Sequence, residues 1–310
     1  MTIKMITAAL AGILLAACAP AQTPQTVETA PAAAPAETQG VTAAAPALWR
    51  IADEDTTIWL FGTIHILPTG FEWRNAVIDE AIAASDALVI ETVISGEQSD
   101  AALLLMQLGI SPDLPPIGER VDADAQTDLA AMIERSPFPE TFLNGLETWA
   151  AALMLVQVTL ADLGLDPENG VEEQLELTFQ LAGKPVSGLE TPAEQLGFFD
   201  TLPEEAQRYF LTSVVGSADE AREEFDAMLE AWRIGDEAAI AEAFDGELVE
   251  SDPLREALLT RRNANWAEWI GERLAEPGTV FMAVGAGHLA GQFTVQDFLA
   301  EAGIEVERVQ

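Results

Sequence analysis

The chain has 310 residues, with 14 Lys and Arg against 52 Asp and Glu, and therefore a formal net charge of −38 at pH 7. Binding to a phosphate backbone needs clustered basic side chains, so this composition excludes nucleic acid as a partner. The acidity is expected either to attract cationic peptides or to keep the protein solvated in a salty medium, where salt screens its self-repulsion.

Residues 1–18 have the pattern of a secretory signal. Lys4 precedes an apolar run of about 13 residues, and the only cysteine, Cys18, follows Leu-Ala-Ala. A membrane-spanning helix needs roughly 20 apolar residues, so the run is predicted to be a signal segment and not a permanent span. Leu-Ala-Ala-Cys resembles the lipobox of bacterial lipoproteins, which implies lipidation of Cys18; an ordinary secreted protein with an incidental thiol is the alternative. We therefore expect an exported, periplasmic protein, lipid-anchored at the outer membrane.

Residues 19–47 are rich in Ala, Pro, Thr and Gln and are predicted to form a disordered tether. Residues 48–310 are long enough for one large domain with a helical insertion, and we expect a single core. The first 47 residues hold one Lys and two Glu, so this domain carries a formal charge of −37. Because the domain is acidic and the tether is not expected to pack, we expect the lipid anchor to be the protein's only contact with the membrane.

Short apolar runs alternate with longer stretches of helical periodicity, which indicates an α/β fold. Leu48–Ala52 and Thr56–Gly62 flank an acidic turn and are predicted to form a hairpin or two neighbouring strands. An amphipathic helix over Arg74–Ser85 follows. Ala87–Glu91 then reads as a buried strand, because its apolar run is too uniform for a surface edge.

The rest of the chain alternates two helical blocks with three more short strands. The helical blocks cover 96–183 and 193–275, and Asp252 with Pro253 is predicted to start a helix as N-cap and first residue. The strands are Lys184–Glu190, Thr279–Val284 and Ile304–Val309, with a helix over Gly291–Ala302 between the last two. The sequence therefore predicts a central mixed sheet with helical insertions that form a cap.

Both histidines of the chain lie three residues after a glycine, at the end of an apolar strand. The two motifs are Gly62-Thr63-Ile64-His65 and Gly285-Ala286-Gly287-His288. Glycine permits a tight turn or a close backbone approach where a strand ends. Ligands of open α/β sheets gather at the carboxyl ends of the strands, so we expect both imidazoles to face one crevice.

Glu91 and Glu190 end two further strands, and each is followed by a threonine. A charge beside buried apolar surface is costly unless it is compensated. Two imidazoles with one or two carboxylates suit a transition metal such as Mn, Co or Zn. The alternative for each glutamate is a helix N-cap or an ion pair with an arginine. Arg262, on a predicted helix, could clamp a substrate carboxylate or stabilise an oxyanion, or it could belong to a surface helix face.

From about Leu48 to Gln310 the chain resembles the TraB/GumN family, whose TIKI-like members are described as metal-dependent proteases of extracellular ligands. The matching segments, in the family's order, are Phe-Gly-Thr-Ile-His65, Trp73-Arg74, Val-Ile-Glu91, Gly-Leu-Glu190-Thr191, Arg262-Asn263 and Val-Gly-Ala-Gly-His288-Leu. The resemblance implies that the two histidines, Glu91 and Arg262 belong to the site, with Glu190 as a further member. Glu172 stands where the family pattern has Asp, so Glu172 is left out of the site.

Metal-dependent hydrolysis, most simply of a peptide or protein substrate in the cell envelope, is the predicted function. His65 and His288 with a carboxylate would hold the ion, Glu91 would be the base or third ligand, and Arg262 would stabilise the oxyanion. One alternative is a non-catalytic periplasmic protein that binds a ligand, a metal or haem in the same crevice. Another is a catalytically inactive scaffold protein of the cell envelope.

Overall fold

The computed structural model describes residues 43–310 except for 94–97, 112, 167–168 and 249–250. The predicted signal segment, Cys18 and nearly all of the predicted tether lie outside the described residues. Among the helices that are described, none is both long enough and apolar enough to cross a lipid bilayer.

Six strands in the described part of the chain form one sheet in the order β4-β3-β5-β2-β1-β6. The strands are β1 Leu48–Ala52, β2 Thr56–Thr63, β3 Ala87–Ile90, β4 Val186–Gly188, β5 Gly278–Gly285 and β6 Glu307–Arg308. β1 runs antiparallel to both of its neighbours, whereas β2, β5, β3 and β4 run parallel to one another. The predicted mixed sheet is therefore confirmed, and so is the hairpin of β1 and β2.

Helices fill the intervals between the strands. They are α1 Ala76–Ala84, α2 Gln98–Leu108, α3 Gln126–Arg135, α4 Glu140–Leu143, α5 Thr148–Leu163, α6 Val171–Leu181, α7 Pro192–Asp200, α8 Glu204–Val214, α9 Ala218–Arg233, α10 Glu237–Leu248, α11 Asp252–Arg255, α12 Arg261–Arg273 and α13 Val295–Glu301. A π-helical turn, Glu256–Thr260, joins α11 to α12. The α/β class with helical insertions is thereby confirmed.

Buried apolar side chains form three clusters, whereas the sequence led us to expect a single core. One cluster joins one face of the sheet to α1, α6, α9 and α10, and a second joins the opposite face to α12 and α13. The third lies within the helical insertions around α5, most of whose residues are buried. A sheet buries its two faces separately, and the insertions are long enough to bury a core of their own.

Two predicted helix starts are displaced in the structure. Ser251 is the N-cap of α11, so Asp252 is the first helical residue and its carboxylate accepts a hydrogen bond from Arg255 at 2.5 Å. The last helix begins only at Val295, after a capping box formed by Thr294. The preceding Phe293 has a φ of 58°, a left-handed conformation that cannot belong to a right-handed helix.

Candidate functional site

The carboxyl ends of the four parallel strands meet at one edge of the sheet and place four polar side chains there. His65 follows β2, Glu91 follows β3, Glu190 follows β4, and His288 follows β5. Thr63 is opposite Gly285 in the β2–β5 register, which brings the two Gly-x-x-His motifs side by side. The structure thus brings these residues to one location, since parallel strands end at the same edge of the sheet.

Gly285 lies between the histidines and Glu91. A Cβ atom at this position would lie 3.2 Å from Oε1 of Glu91 and 3.5 Å from both Nε2 of His65 and Cδ2 of His288. Any side chain here would fill the space that these three groups share, so a glycine keeps it open. Gly62 and Gly287 serve the same region by close packing: added Cβ atoms would lie 3.2 Å from Cα of Ala286 and 2.5 Å from the ring of Phe244, respectively.

Glu91 is only 1% exposed and is held as an anion by three neighbours. Its Oε1 accepts a hydrogen bond from the backbone N–H of Gly285 at 2.7 Å, and its Oε2 accepts bonds from Arg262 at 2.6 Å and Gln195 at 3.4 Å. Burial by itself raises the pKa of the Glu91 carboxyl, but the charge of Arg262 and the two imidazoles lower this pKa to about 2. Glu91 is therefore ionised at neutral pH.

Arg262 is the cation at the centre of the site and is 3% exposed. Its Nε donates to Oε1 of Glu190 at 2.9 Å, and its Nη2 donates to Glu190 at 2.8 Å and to Glu91 at 2.6 Å. Its Nη1 donates to the carbonyl oxygen of Leu258 at 3.4 Å and contacts Nε2 of His288 at 3.2 Å. A guanidinium has five N–H donors, so all five are engaged.

The π-helical turn before α12 sets the position of Arg262. In a π-turn the carbonyl oxygens are offset from the regular helical ladder, and such turns recur at functional sites. Here the carbonyl oxygen of Leu258, within the turn, accepts from the side chain of Arg262. The guanidinium also lies over the ring of Trp266 at 4.8 Å and over the ring of Phe198 at 5.5 Å. Aromatic rings thus shield the cation from solvent.

His288 is completely buried and is held by α12 through both ring nitrogens. Its Nδ1 lies 2.6 Å from Oδ1 of Asn263, and its Nε2 lies 3.2 Å from Nη1 of Arg262. Since an amide oxygen only accepts and a guanidinium only donates, Nδ1 carries the proton and Nε2 accepts. Burial and then the charge of Arg262 lower the pKa of His288 to about 3, so the imidazole is neutral.

His65 is 6% exposed and faces a carboxylate from a different helix. Its Nδ1 lies 2.5 Å from Oε1 of Glu172, within ion-pair distance. Burial lowers the pKa of His65, but the Glu172 carboxylate outweighs this effect and the net pKa is raised. The hydroxyl of Thr63 also donates to Oε1 of Glu172.

Glu172 reaches His65 because α6 begins beside the His65 loop. The backbone N–H of Val171, the first residue of α6, donates to the carbonyl oxygen of Ile64 at 3.1 Å. Glu172 is therefore in the first helical turn, where the helix dipole favours an anion. The sequence had left Glu172 out of the site; the extra methylene of glutamate does not prevent its contact with the imidazole.

The structure brings together most of the residues that the sequence singled out. His288, Glu91, Glu190, Arg262 and Asn263 form one hydrogen-bonded network. His65 lies beside it, next to Gly285, with Thr63 and Glu172 as its neighbours, and Gly62, Gly285 and Gly287 allow the close packing of this region. Sequence reasoning missed Glu172 and Gln195. Gln195, in the first turn of α7, donates to Glu190 at 3.1 Å as well as to Glu91. A signal for it was the capping pair of Thr191 and Glu194, which fixes where α7 begins.

The fold and the site define an α/β protein with a buried histidine–carboxylate–arginine centre at the carboxyl edge of its sheet. A model of the TraB/PrgY/gumN family matches residues 47–308, and the chain belongs to this family. The comparison with curated proteins finds no match. The comparison with solved structures finds none either.

Proposed function

We propose that this centre is the active site of a hydrolase that cleaves an acyl bond, most simply a peptide bond, with His65 as the acid–base group. The observation that carries the proposal is the contact of Nδ1 of His65 with the Glu172 carboxylate, while Nε2 faces the space left open by Gly285. A carboxylate on one ring nitrogen orients an imidazole and stabilises its protonated form, as a base that takes a proton from water requires.

His65 suits the role of general base better than Glu91, which we predicted from the sequence to be the base or the third metal ligand. A general base is most effective when its pKa lies near the operating pH. The pKa of Glu91 is lowered to about 2, and its oxygens already accept hydrogen bonds from Gly285 and Arg262. Burial lowers the pKa of His65, but the Glu172 carboxylate outweighs burial and raises it, which favours the protonated imidazole that a general base becomes.

In this proposal Arg262 supplies a fixed positive charge beside the reacting groups, and His288 helps to hold it. All five donors of Arg262 are used within the protein, so the guanidinium has none left for a substrate carboxylate or an oxyanion. Its charge still favours negative charge that develops nearby, because the site is dry and the cation needs no reorganisation. His288 stays neutral and holds Arg262 in place.

The metal-dependent form of the proposal, with Mn, Co or Zn, comes from the two histidines with strand-end carboxylates and from the family resemblance, and it stays a prediction. The described arrangement does not fit a single ion held by the two histidines and Glu91. Nε2 of His288 faces the guanidinium of Arg262 at 3.2 Å, where an ion would have to bind. Among the described residues, no group of three or more His, Cys, Asp or Glu has the arrangement of a metal site.

A library of unstructured fluorogenic peptides, with and without added Mn²⁺, Co²⁺ or Zn²⁺, tests the activity. His65→Ala should lower kcat by about 10²- to 10⁴-fold, the usual contribution of a general base. Circular dichroism would verify that the variant remains folded. Full activity in a folded His65→Ala protein would exclude His65 as the acid–base group.

Glu172→Gln and Glu176→Gln form a matched pair that separates catalysis from stability. Both glutamates are buried on the same face of α6, but only Glu172 contacts His65, whereas Glu176 accepts a hydrogen bond from Gln180. We expect Glu172→Gln to lower kcat about 10-fold or more and to shift the pH profile, because the neutral amide no longer supports the imidazolium. Glu176→Gln should leave both unchanged. Equal losses in the two variants would indicate a structural role.

A non-catalytic binding protein is the second candidate, and the burial of the centre favours it. His288 is fully buried, and Glu91, Arg262 and His65 are 1%, 3% and 6% exposed, so little of the centre is open to a large substrate. In that case the peptides would bind without being cleaved. A Soret band after addition of haem would identify the haem-binding version.

We propose as well that the protein is exported and held at the outer membrane by a lipid on Cys18. The apolar run before Leu-Ala-Ala-Cys18 and the proline-rich segment after it support this proposal. Cys18→Ser should release a soluble protein with an unchanged fold, detectable by membrane fractionation. If the serine variant still sediments with membranes, the anchor lies elsewhere.

A further inference from the structure

The acceptors around Arg262 are the groups that would otherwise be expected to ligate a metal. They are Oε2 of Glu91, both carboxylate oxygens of Glu190 and Nε2 of His288. Each lies 2.6 to 3.2 Å from a guanidinium nitrogen. Two carboxylates and a neutral imidazole suit a divalent transition metal. In this protein the same three side chains converge on an organic cation.

Half of the negative charge within the centre is already compensated by that cation. Glu91 and Glu190 carry two negative charges, and Arg262 supplies a positive charge that is fixed between them. Burial lowers the pKa of Arg262, but the two carboxylates outweigh it and raise the pKa, so the guanidinium stays charged. A divalent ion bound to the same carboxylates would be strongly repelled by this neighbour in a dry interior.

The side chains around the guanidinium of Arg262 hold it in place. Trp266 and Phe198 lie against the guanidinium, and the indole N–H of Trp266 donates to Oε1 of Glu190 at 3.0 Å. Gln195 donates to the other oxygen of Glu190 at 3.1 Å. The second carboxylate is thereby held in the orientation that receives Arg262. Displacing the guanidinium would leave buried charges unpaired on both sides.

We infer that the guanidinium of Arg262 is the resident cation of this centre, in the position that a divalent metal would take, and that the wild-type protein holds no metal there. The inference concerns binding only and does not depend on the hydrolysis proposed above. It also implies that removal of the arginine side chain lets Glu91, Glu190 and His288 close around a divalent ion, which their present arrangement does not hold.

Metal binding to the full-length protein tests the inference directly. Wild type, Arg262→Ala and Arg135→Ala are freed of metal with EDTA and titrated with Zn²⁺ by calorimetry and with Co²⁺ by visible absorption. Arg135 is a matched control, because its loss changes the net charge equally and frees Asp162, a carboxylate at the surface. Arg262→Ala should bind about one ion at least 100-fold more tightly than the other two proteins. Glu190→Gln in the Arg262→Ala background should abolish that gain.

Two results would overturn the inference. One is tight binding of a single ion to the wild type that is lost in His65→Ala or His288→Ala. The other is a folded Arg262→Ala protein that binds no more metal than Arg135→Ala. If Arg262→Ala does not fold, the wild type alone decides the question. A bound ion raises the unfolding midpoint by mass action, so equal midpoints in Zn²⁺ and in EDTA support the inference and a higher midpoint in Zn²⁺ contradicts it.

Discussion

At the scale of single residues, His288 makes the stability of the protein depend on pH. Its pKa is about 3 in the folded protein and 6.5 in an unfolded chain. The unfolded chain therefore binds a proton, as the pH falls through 6.5, that the folded protein does not bind. The contribution of His288 to stability is fully present above pH 6.5 and is lost progressively as the pH falls toward 3.

His288→Gln should remove this dependence. Between pH 7.5 and 5.5 the wild type should lose about 1.4 kcal/mol more of its free energy of unfolding than the variant, close to the value of one pKa unit. Urea unfolding at several pH values measures the difference. The raised pKa of His65 changes stability with pH in the opposite direction, but this effect is common to both proteins. If the free energies of unfolding of the two proteins change with pH in parallel, the low pKa of His288 is contradicted.

Sequence patterns located the residues of the site but not their contacts. The two Gly-x-x-His motifs and the strand-end glutamates were predictable, because parallel strands bring their carboxyl ends to one edge. The contact between His65 and Glu172 was not predictable, since it depends on where α6 begins relative to β2. Nor does spacing reveal that Arg262 uses every donor within the protein, which depends on the π-turn before it.

At the scale of secondary structure elements, one buried arginine organises the helical insertions. Arg120 is 1% exposed and donates to three backbone carbonyl oxygens: those of Pro115 at 2.6 Å, Leu146 at 2.7 Å and Asn144 at 3.0 Å. Pro115 lies in the connection between α2 and α3, and Asn144 and Leu146 lie in the connection between α4 and α5, so none of these carbonyls belongs to a regular helix or strand. A single side chain thus replaces several backbone hydrogen bonds.

Arg120→Met should lower the free energy of unfolding by about 3 kcal/mol, because each buried carbonyl left without a donor costs about 1–3 kcal/mol. Arg135→Met is the matched control. Arg135 is exposed and forms a surface ion pair with Asp162, so its loss should cost less than about 1 kcal/mol. Urea unfolding of the two variants gives the comparison, and similar losses would show that Arg120 is not essential to the loop structure.

The elements themselves were more predictable than their bounds. Uniformly apolar runs located β2, β3 and β5, because strands buried on both faces carry apolar residues in succession. β4 and β6 are shorter than predicted, since only parts of Lys184–Glu190 and Ile304–Val309 pair with a neighbour. The division into three cores depends on tertiary contacts that no local pattern encodes.

At the scale of the whole molecule, the negative charge should make stability depend on salt. Residues 48–310 carry a formal charge of −37, and arginines are too few to pair with most carboxylates. Raising NaCl from 10 mM to 1 M shortens the Debye length from about 30 to about 3 Å, which screens this repulsion. We expect the thermal midpoint to rise by several degrees. KCl should act equally, and a flat or falling midpoint would show that the carboxylates are paired or dispersed.

Both edges of the sheet are formed by very short strands. β4 has three residues and β6 has two, and the β6 residues Glu307 and Arg308 are exposed and charged. A long, flat, apolar edge would offer free N–H and C=O groups to the same edge of another molecule, which is how amyloid-like growth begins. Such short edges, one of them charged, give this growth little template, so the folded protein should resist fibril formation even at concentrations where its apolar strands, if exposed, would aggregate.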